Sequence, residues 1–370
     1  MKYYIIAGEA SGDLHASNLM KALRANDPYA DFRFWGGDRM KAVGGELVKH
    51  YRDLAFMGFL EVVQNLNTIL SNLKFCKQDI PDYNPDALIL VDYPGFNLRI
   101  ADFARQQKIK VFYYISPQLW AWKRNRVKIV KRAVDKMFVI LPFEKNFYSE
   151  YDVDVDFVGH PLLDALENYQ FADKNEFIQK NKLDGRPVIA LLPGSRKQEV
   201  STMLSIMMKM AHAFRDYQFV TGAAPSLDDK FYHNILKNSD IKLASDQTYD
   251  LLKNAEAAMV TSGTATLETA LIGTPEVVCY KGNFISYQIA KRLVHVDYIS
   301  LVNLIMEKEI VKELIQNQLN PRNLKKVLDK LLFDNQYKGQ LHEDYGRLRE
   351  KLGGPGASEN TAKLILKYLG

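Results

Sequence analysis

The segment "LILVDYPGFN" (88–97) sets Asp92 at the end of an apolar run, directly before a Tyr-Pro-Gly turn. A carboxylate there can take a proton from an attacking hydroxyl; it can equally cap the helix that follows. "ALLPGSRKQEV" (190–200) ends a second apolar run in a Pro-Gly turn, with Ser195 and Arg196 at a helix start. The forked guanidinium of Arg196 suits a diphosphate, although an exposed arginine on an ordinary turn has the same local sequence. "VTSGTATLETA" (260–270) favours the diphosphate: Ser262, Gly263 and Thr264 open a helix with small residues. Small residues expose the first N–H groups, whose partial positive charge attracts phosphate. Glu268, one turn further, can accept from ribose hydroxyls, or serve as a capping partner or a solvated face. Two such turns in one half of the chain point to a nucleotide diphosphate.

A third loop, "GEASGDLH" (8–15), also lies between an apolar run and an amphipathic segment. Its spacing matches neither G-x-G-x-x-G nor G-x-x-x-x-G-K-[ST], and neither pattern occurs elsewhere, which argues against a dehydrogenase or a P-loop enzyme. Glu9 and Asp13 would repel a diphosphate. His15 by itself reads as a structural histidine. His160, just before a Pro161 suited to a first helical turn, faces a cleft or holds a hinge. "DVDVDF" (152–157) alternates strictly, so it reads as a strand with Val153 and Val155 on one face and the aspartates toward water. A metal beside a diphosphate is the weaker reading, and nothing has zinc-site spacing. Neither a metal nor a cofactor is expected.

Two stretches suit a lipid surface. "YISPQLWAWKRNRVKIVKR" (114–132) pairs Trp120 and Trp122 with Lys123, Arg124, Arg126, Lys128, Lys131 and Arg132. Indoles beside cations fit an anionic membrane, RNA through stacking, or a solvated basic face with its tryptophans in the core. "LAFMGFLEVVQNLNTILSNL" (54–73) carries Phe56, Met57 and Phe59, then Val63, Leu66, Leu70 and Leu73 at helical spacing. It is a core-facing helix or a receiver of acyl chains.

Short β-branched or aromatic runs must position these residues: 2–7, 31–36, 87–92, 111–115, 137–141 and 155–159, then 188–192, 218–222, 241–245, 257–261 and 276–280. Each is followed by a helical pattern, and runs apolar on both faces argue for parallel sheets covered on both sides. Ligands of such sheets bind beyond the carboxyl ends of the strands. The expected fold is therefore α/β, with two doubly wound domains facing a cleft. The expected boundaries are 1–170, 171–345 and a helical segment 346–370, which could pack back on the first domain or on a partner subunit. "KNKLDGRPV" (180–188) has linker character, and from Asn303 onward the pattern reads as helical.

The chain has 370 residues, 47% of them hydrophobic, enough for two or three cored domains. A net charge of +5 from 49 basic and 44 acidic residues is too mild to argue for nucleic acid by itself. Cys76 and Cys279 are the only cysteines, which suits a reducing cytosol rather than a disulfide framework. No secretory signal and no run near the roughly 20 residues of a membrane span is seen, so any membrane contact is expected from the surface.

The segments "AGEASGD", "FMGFLEVV", "VDYPGFN", "YISPQLWAW", "LPFEKNFY", "VGHPLLD", "LLPGSRKQE", "SGTATLE" and "DYISLVNLI" occur in order from Ala7 to Ile305. Together they closely resemble lipid-A-disaccharide synthase, a glycosyltransferase family of the GT-B type. The resemblance implies transfer of the sugar of UDP-2,3-diacylglucosamine to the 6-hydroxyl of 2,3-diacylglucosamine 1-phosphate, with inversion and loss of UDP. It implies Asp92 as the general base, and UDP on the second domain at Ser195, Arg196, Ser262, Gly263, Thr264 and Glu268. Asn303 matches a family asparagine close to the donor. Many relatives carry Asp where this chain has Gly95, which leaves Asp92 the only acid of its turn. On this footing Gly8 and Gly12 let backbone pass close to the acceptor, and Glu9, Ser11 and Asp13 offer oxygens to its hydroxyls. The implied setting is the cytoplasmic face of the inner membrane, with a possible homodimer and no nucleic acid. The alternative is a UDP-N-acetylglucosamine 2-epimerase-like enzyme of the same architecture.

Overall fold

The computed structural model describes residues 1–54, 66–282 and 296–370, so Phe56, Met57 and Phe59 lie outside the described residues. The chain divides into two compact units, Met1–Asn168 with Leu352–Gly370, and Tyr169–Lys351.

Among the described residues the first unit holds seven strands: β1 (Lys2–Ala7), β2 (Asp31–Gly36), β3 (Glu46–His50), β4 (Ala87–Val91), β5 (Lys110–Tyr114), β6 (Lys136–Val139) and β7 (Val155–Phe157). All pair in parallel, in the order β3-β2-β1-β4-β5-β6-β7. Tyr3 to Ala7 and Ala87 to Val91 are buried along their whole length, as strands covered by helices on both faces must be. The second unit holds β8 (Val188–Leu192), β9 (Gln218–Ala223), β10 (Lys242–Ser245), β11 (Ala255–Thr261), β12 (Glu276–Tyr280) and β13 (Lys312–Ile315). Its order is β10-β9-β8-β11-β12-β13, again parallel.

Two strands have no counterpart in the sequence reading. β3 ("ELVKH") and β13 ("KELI") are short edge strands carrying charges, as edges do to discourage further pairing. They lack the apolar run that marks the inner strands, and β13 corrects the view that everything after Asn303 is helical.

In "DVDVDF" Val155 is buried and Asp152 and Asp154 reach water as expected, while Asp156 is half-buried, and Asp154 and Asp156 both pair with the buried ammonium of Lys136 on the neighbouring strand. Asp156 accepts a hydrogen bond from Tyr368 on the last helix, and Lys136 lies 5.2 Å from that ring's centroid. That helix, Ala357–Leu369, is capped by Asp164, whose carboxylate accepts from the backbone N–H of Gly356, Ala357 and Ser358 at 2.6, 3.2 and 2.8 Å. Nearby, His160 N–H donates to Leu352 O, and Gly159 takes φ +90°, a left-handed conformation that glycine adopts without a Cβ penalty.

Candidate functional site

In each sheet the strand order reverses once, between β1 and β4 and between β8 and β11. The crevice at such a point is open because the two following segments leave in opposite directions. Gly8–Asp13 follows β1 and Asp92 follows β4, so both come to the same switch point. Pro193–Arg196 follows β8 and Ser262–Thr264 follows β11, which brings the two phosphate-suited turns together in the second unit.

Asp92 and Tyr93 both sit in the left-handed region, at φ 44° and 48°. Each such residue costs about 1–2 kcal/mol, so the turn has to be held. Fully buried Asn97 holds it, donating from Nδ2 to the carbonyls of Asp92 (2.8 Å) and Val91 (3.2 Å). Tyr113 Oη donates to Asp92 O at 2.5 Å, and Asp92 N–H donates to Tyr114 O at 3.2 Å. Tyr93, not Asp92, occupies the cap position of the Pro94–Gln106 helix, so the Asp92 carboxylate does not serve as that helix's cap. Burial pushes this carboxyl up to about 7, with further upward pressure from Glu9. A base with that pKa is matched to neutral operation.

The GEASGD loop divides. Glu9 is half-buried at the cap of the Ala10–Asn26 helix, makes no side-chain cap bond, and acts electrostatically on Asp92 and Tyr93. Ser11 is exposed. Asp13 corrects its expected role: it is buried, and its carboxylate accepts from the N–H groups of Gly37, Arg39 and Met40 at 2.7, 3.1 and 3.1 Å. Capping the Asp38–Val43 helix turns this carboxylate inward and spends three of its acceptor sites on backbone. Gly8 makes room for a ring, since a Cβ there would lie 2.4 Å from Tyr93 Cγ. Gly12 sits against Ala7, where a Cβ would meet the Ala7 methyl at 3.3 Å. Both glycines thus serve internal packing.

His160 Nδ1 accepts from Leu162 N–H at 3.2 Å, which caps the Pro161–Glu167 helix. Burial holds its imidazole down to about 3, helped by His15. Burial likewise holds His15 down to about 4, against an upward pull from Asp164. Both rings are neutral near pH 7.

The Trp-basic stretch separates its two indoles. Trp120 is 8% exposed and packs edge-on against Phe143 at 4.9 Å, so it is an internal anchor and not a membrane contact. Trp122 is 48% exposed, with Lys123 Nζ 4.2 Å above its ring. Arg124 reaches Trp120 O at 3.5 Å and lies 5.7 Å from the Phe147 ring. Beneath Trp120 lies Glu144, which the sequence reading passed over. Its Oε2 accepts from Ile140 and Leu141 N–H at 3.2 and 2.9 Å, and burial raises its carboxyl to about 7.

In the second unit, Arg196 is exposed at the cap of the Lys197–Met207 helix. Ser195 N–H donates to Glu199 Oε2 at 3.0 Å, and Gly194 (φ +106°) leaves that carboxylate space a Cβ would fill. Glu199 therefore braces the turn that presents Arg196; its signal was the Ser-x-x-x-Glu spacing. Gly263 and Thr264 are exposed at the start of the Thr264–Ile272 helix. Ser262 donates from Oγ to Ile299 O at 2.8 Å, and its N–H donates to Cys279 O. Glu268 accepts from Tyr249 Oη at 3.2 Å, while burial raises its carboxyl.

Asn303 corrects its expected place against the donor. It is 0% exposed, and its carboxamide is spent internally. Nδ2 donates to Val311 O and Glu313 Oε1 at 2.8 and 2.9 Å, and Oδ1 accepts from Ile310 and Val311 N–H at 2.7 and 3.0 Å. Glu313 in turn accepts from Ile299 N–H at 3.0 Å, and Ile299 O receives Ser262. Asn303 thus orders the Ser262 turn from behind.

Residues 3–367 match the family described as lipid-A-disaccharide synthetase. A lipid-A-disaccharide synthase from Syntrophus aciditrophicus is 40% identical over 373 residues, covering 99% of this chain and 97% of its own length. One from Geobacter sulfurreducens is 38% identical with the same coverage. Among solved structures, the UDP-GlcNAc 2-epimerase from Neisseria meningitidis bound to UDP-GlcNAc superposes with a TM-score of 0.70 at 16% identity, covering 99% of this chain and 100% of its own. The glycotransferase of kitacinnamycin gives 0.68 at 14% identity, with 100% and 99% covered. At such identities the likeness is one of fold, and that fold is GT-B.

Proposed function

This chain belongs to the lipid-A-disaccharide synthetase family, and on that premise we propose that it transfers 2,3-diacylglucosamine from UDP-2,3-diacylglucosamine to the 6-hydroxyl of 2,3-diacylglucosamine 1-phosphate. The products would be the β-1,6-linked disaccharide 1-phosphate and UDP. The observation that carries the reading is Asp92, a carboxyl raised to about 7 and presented by a strained, braced turn at a switch point. Its carboxylate takes the proton of the 6-hydroxyl while that oxygen bonds to the anomeric carbon. The anomeric bond to the diphosphate breaks from the opposite side, and UDP leaves with the electron pair, which inverts the centre. Arg196, Ser195 and the helix start at Ser262–Thr264 stabilise the diphosphate charge, and Glu268 holds the ribose. The step needs no metal when these donors carry the charge.

The reading includes a peripheral seat on the inner membrane and a homodimer. Among the described residues no helix is long and apolar enough to cross a membrane. The Leu66–Tyr83 helix supports a surface contact: Ile69, Leu70, Leu73, Lys74, Lys77 and Arg99 line a groove of about 520 Å³, with Leu70 54% exposed. Apolar side chains beside three cations suit an anionic lipid surface.

The test is incubation with both lipid substrates, following UDP and the disaccharide. Product formation only when both are present supports the reading. Conversion of UDP-N-acetylglucosamine without any acceptor would replace it with the epimerase alternative.

A further inference from the structure

The strand beside Asp92 also ends in a strained residue. Val91 and Tyr114 are in register on β4 and β5, and Asp92 N–H still donates to Tyr114 O at 3.2 Å. Asp92 and Ile115 are therefore the next residues of two adjoining strands. Ile115 holds φ 64°, and among the described residues other than glycine in that left-handed region it alone is β-branched. Such a side chain is among the least tolerated there, since Cβ already crowds the following carbonyl and carries two further heavy atoms.

The fold imposes this conformation from both sides. Ile115 N–H donates to Phe138 O at 3.2 Å, which continues the ladder between β5 and β6. Ser116, buried at the next position, donates from Oγ to Pro117 O at 3.0 Å and shares a 2.8 Å hydrogen bond with Tyr148 Oη. Pro117 disfavours a helical backbone at Ser116. Core packing is not what selects isoleucine: Tyr113, Tyr114 and Ser116 are buried, whereas Ile115 is half-buried at the carboxyl edge of an inner strand. Glycine or asparagine would take the same backbone at less cost. A strained apolar residue that reaches the surface at the ligand-binding edge, beside Asp92, calls for an apolar contact with the ligand.

We propose that the Ile115 side chain is the apolar wall of the acceptor subsite, packed against the hydroxymethyl carbon of the sugar whose 6-hydroxyl Asp92 deprotonates. This deepens the proposed function and rests on it. A primary hydroxyl turns about its C–C bond through three staggered wells, and only one of them aims the oxygen at a given carboxylate. An apolar group against the methylene disfavours the other wells, since they would press the hydroxyl onto hydrocarbon. Ile115 thus positions the nucleophile while Asp92 takes its proton.

The experiment compares full-length wild type with Ile115→Gly, Ile115→Asn and Ile115→Leu in detergent micelles. Glycine and asparagine keep the left-handed turn and remove the wall, so kcat for disaccharide formation should fall about tenfold or more. KM for the UDP-sugar should stay as in wild type. The urea midpoint of Ile115→Asn should equal or exceed that of wild type, because backbone strain is relieved. Leucine keeps the hydrocarbon and should retain most of kcat. A lowered midpoint with unchanged kcat would assign Ile115 to packing alone and overturn the wall. Methyl NMR reads the contact without turnover. With the δ1 methyls of isoleucine labelled, the Ile115 signal is the one lost in Ile115→Leu. Acceptor 2,3-diacylglucosamine 1-phosphate in deuterated micelles should give nuclear Overhauser contacts from its C6 hydrogens to that methyl, and UDP none. A wild type that makes the disaccharide but lacks the contact refutes the wall. A wild type that shows the contact but makes no disaccharide refutes only the proposed reaction.

Discussion

The phenol of Tyr113, on β5, donates to the backbone carbonyl of Asp92, just past the end of the adjacent strand β4, at 2.5 Å. The bond reaches the residue's backbone and leaves its carboxylate untouched, so it aims the base without neutralising it. Tyr113→Phe is expected to lower kcat about tenfold while leaving the acid limb of the pH profile near its wild-type position. A profile shifted by a full pH unit would mean that the phenol tunes the carboxyl directly.

Asp92→Asn is expected to abolish disaccharide formation, with a loss of at least about 10² in kcat, while UDP-sugar binding persists in calorimetry. Near-normal turnover would remove Asp92 from the base role.

The same carboxyl sets the pH dependence. Its folded pKa lies near 7, and the base form is the ionised one, so kcat/KM should climb as pH rises through about 7 and level off above it. Glu9→Gln removes a negative neighbour, which should move the climb to lower pH. A climb that stays in place in that variant would assign the whole shift to burial.

Asn303→Ala leaves two N–H groups, a carbonyl and a carboxylate oxygen without their partner in a fully buried site. Loss of about 3 kcal/mol or more in urea unfolding is expected. KM for the UDP-sugar should rise as well, because the Ser262 turn loses its backing. A variant with wild-type stability and raised KM alone would restore Asn303 to direct donor contact.

Glu276 is fully buried at the start of β12, with neither carboxylate oxygen bonded among the described residues, and burial raises its carboxyl well above 4.5. The folded protein keeps this proton while the unfolded chain gives it up above the ordinary carboxyl range. Its contribution to stability is therefore complete below about pH 4.5 and lost as pH rises toward the folded value, by up to about 1.4 kcal/mol per pH unit. Glu276→Gln should flatten that decline in denaturation measured from pH 5 to pH 8. An equal slope in both proteins would place the pH dependence elsewhere.

Much of the fold was legible because the inner strands are apolar on both faces, as in "KYYIIA", "ALILV" and "VIALL", and such runs have few other uses. The turns after them were legible for the same reason, since Asp92, Arg196 and Ser262–Thr264 each follow an apolar run directly. What local sequence hid was which polar side chains are turned inward. Asp13 and Asn303 look like ligand contacts from their motifs, yet both are consumed by backbone N–H groups from segments over 20 and about 8 residues away. Trp120 and Trp122 share one short stretch, and only the packing of Phe143 and Glu144 decides that the first points in and the second out.

The sequence by itself determined the family, the parallel sheets and the residue types at each strand end, because periodicity and ordered motifs are properties of the chain. The tertiary structure alone decided the rest. Strand order put Glu9 beside Asp92 and the Pro193 turn beside the Ser262 turn, since a switch point exists only once non-sequential strands pair. Burial decided the charge state of Asp92, Glu144 and Glu276, since desolvation depends on neighbours that no local segment contains.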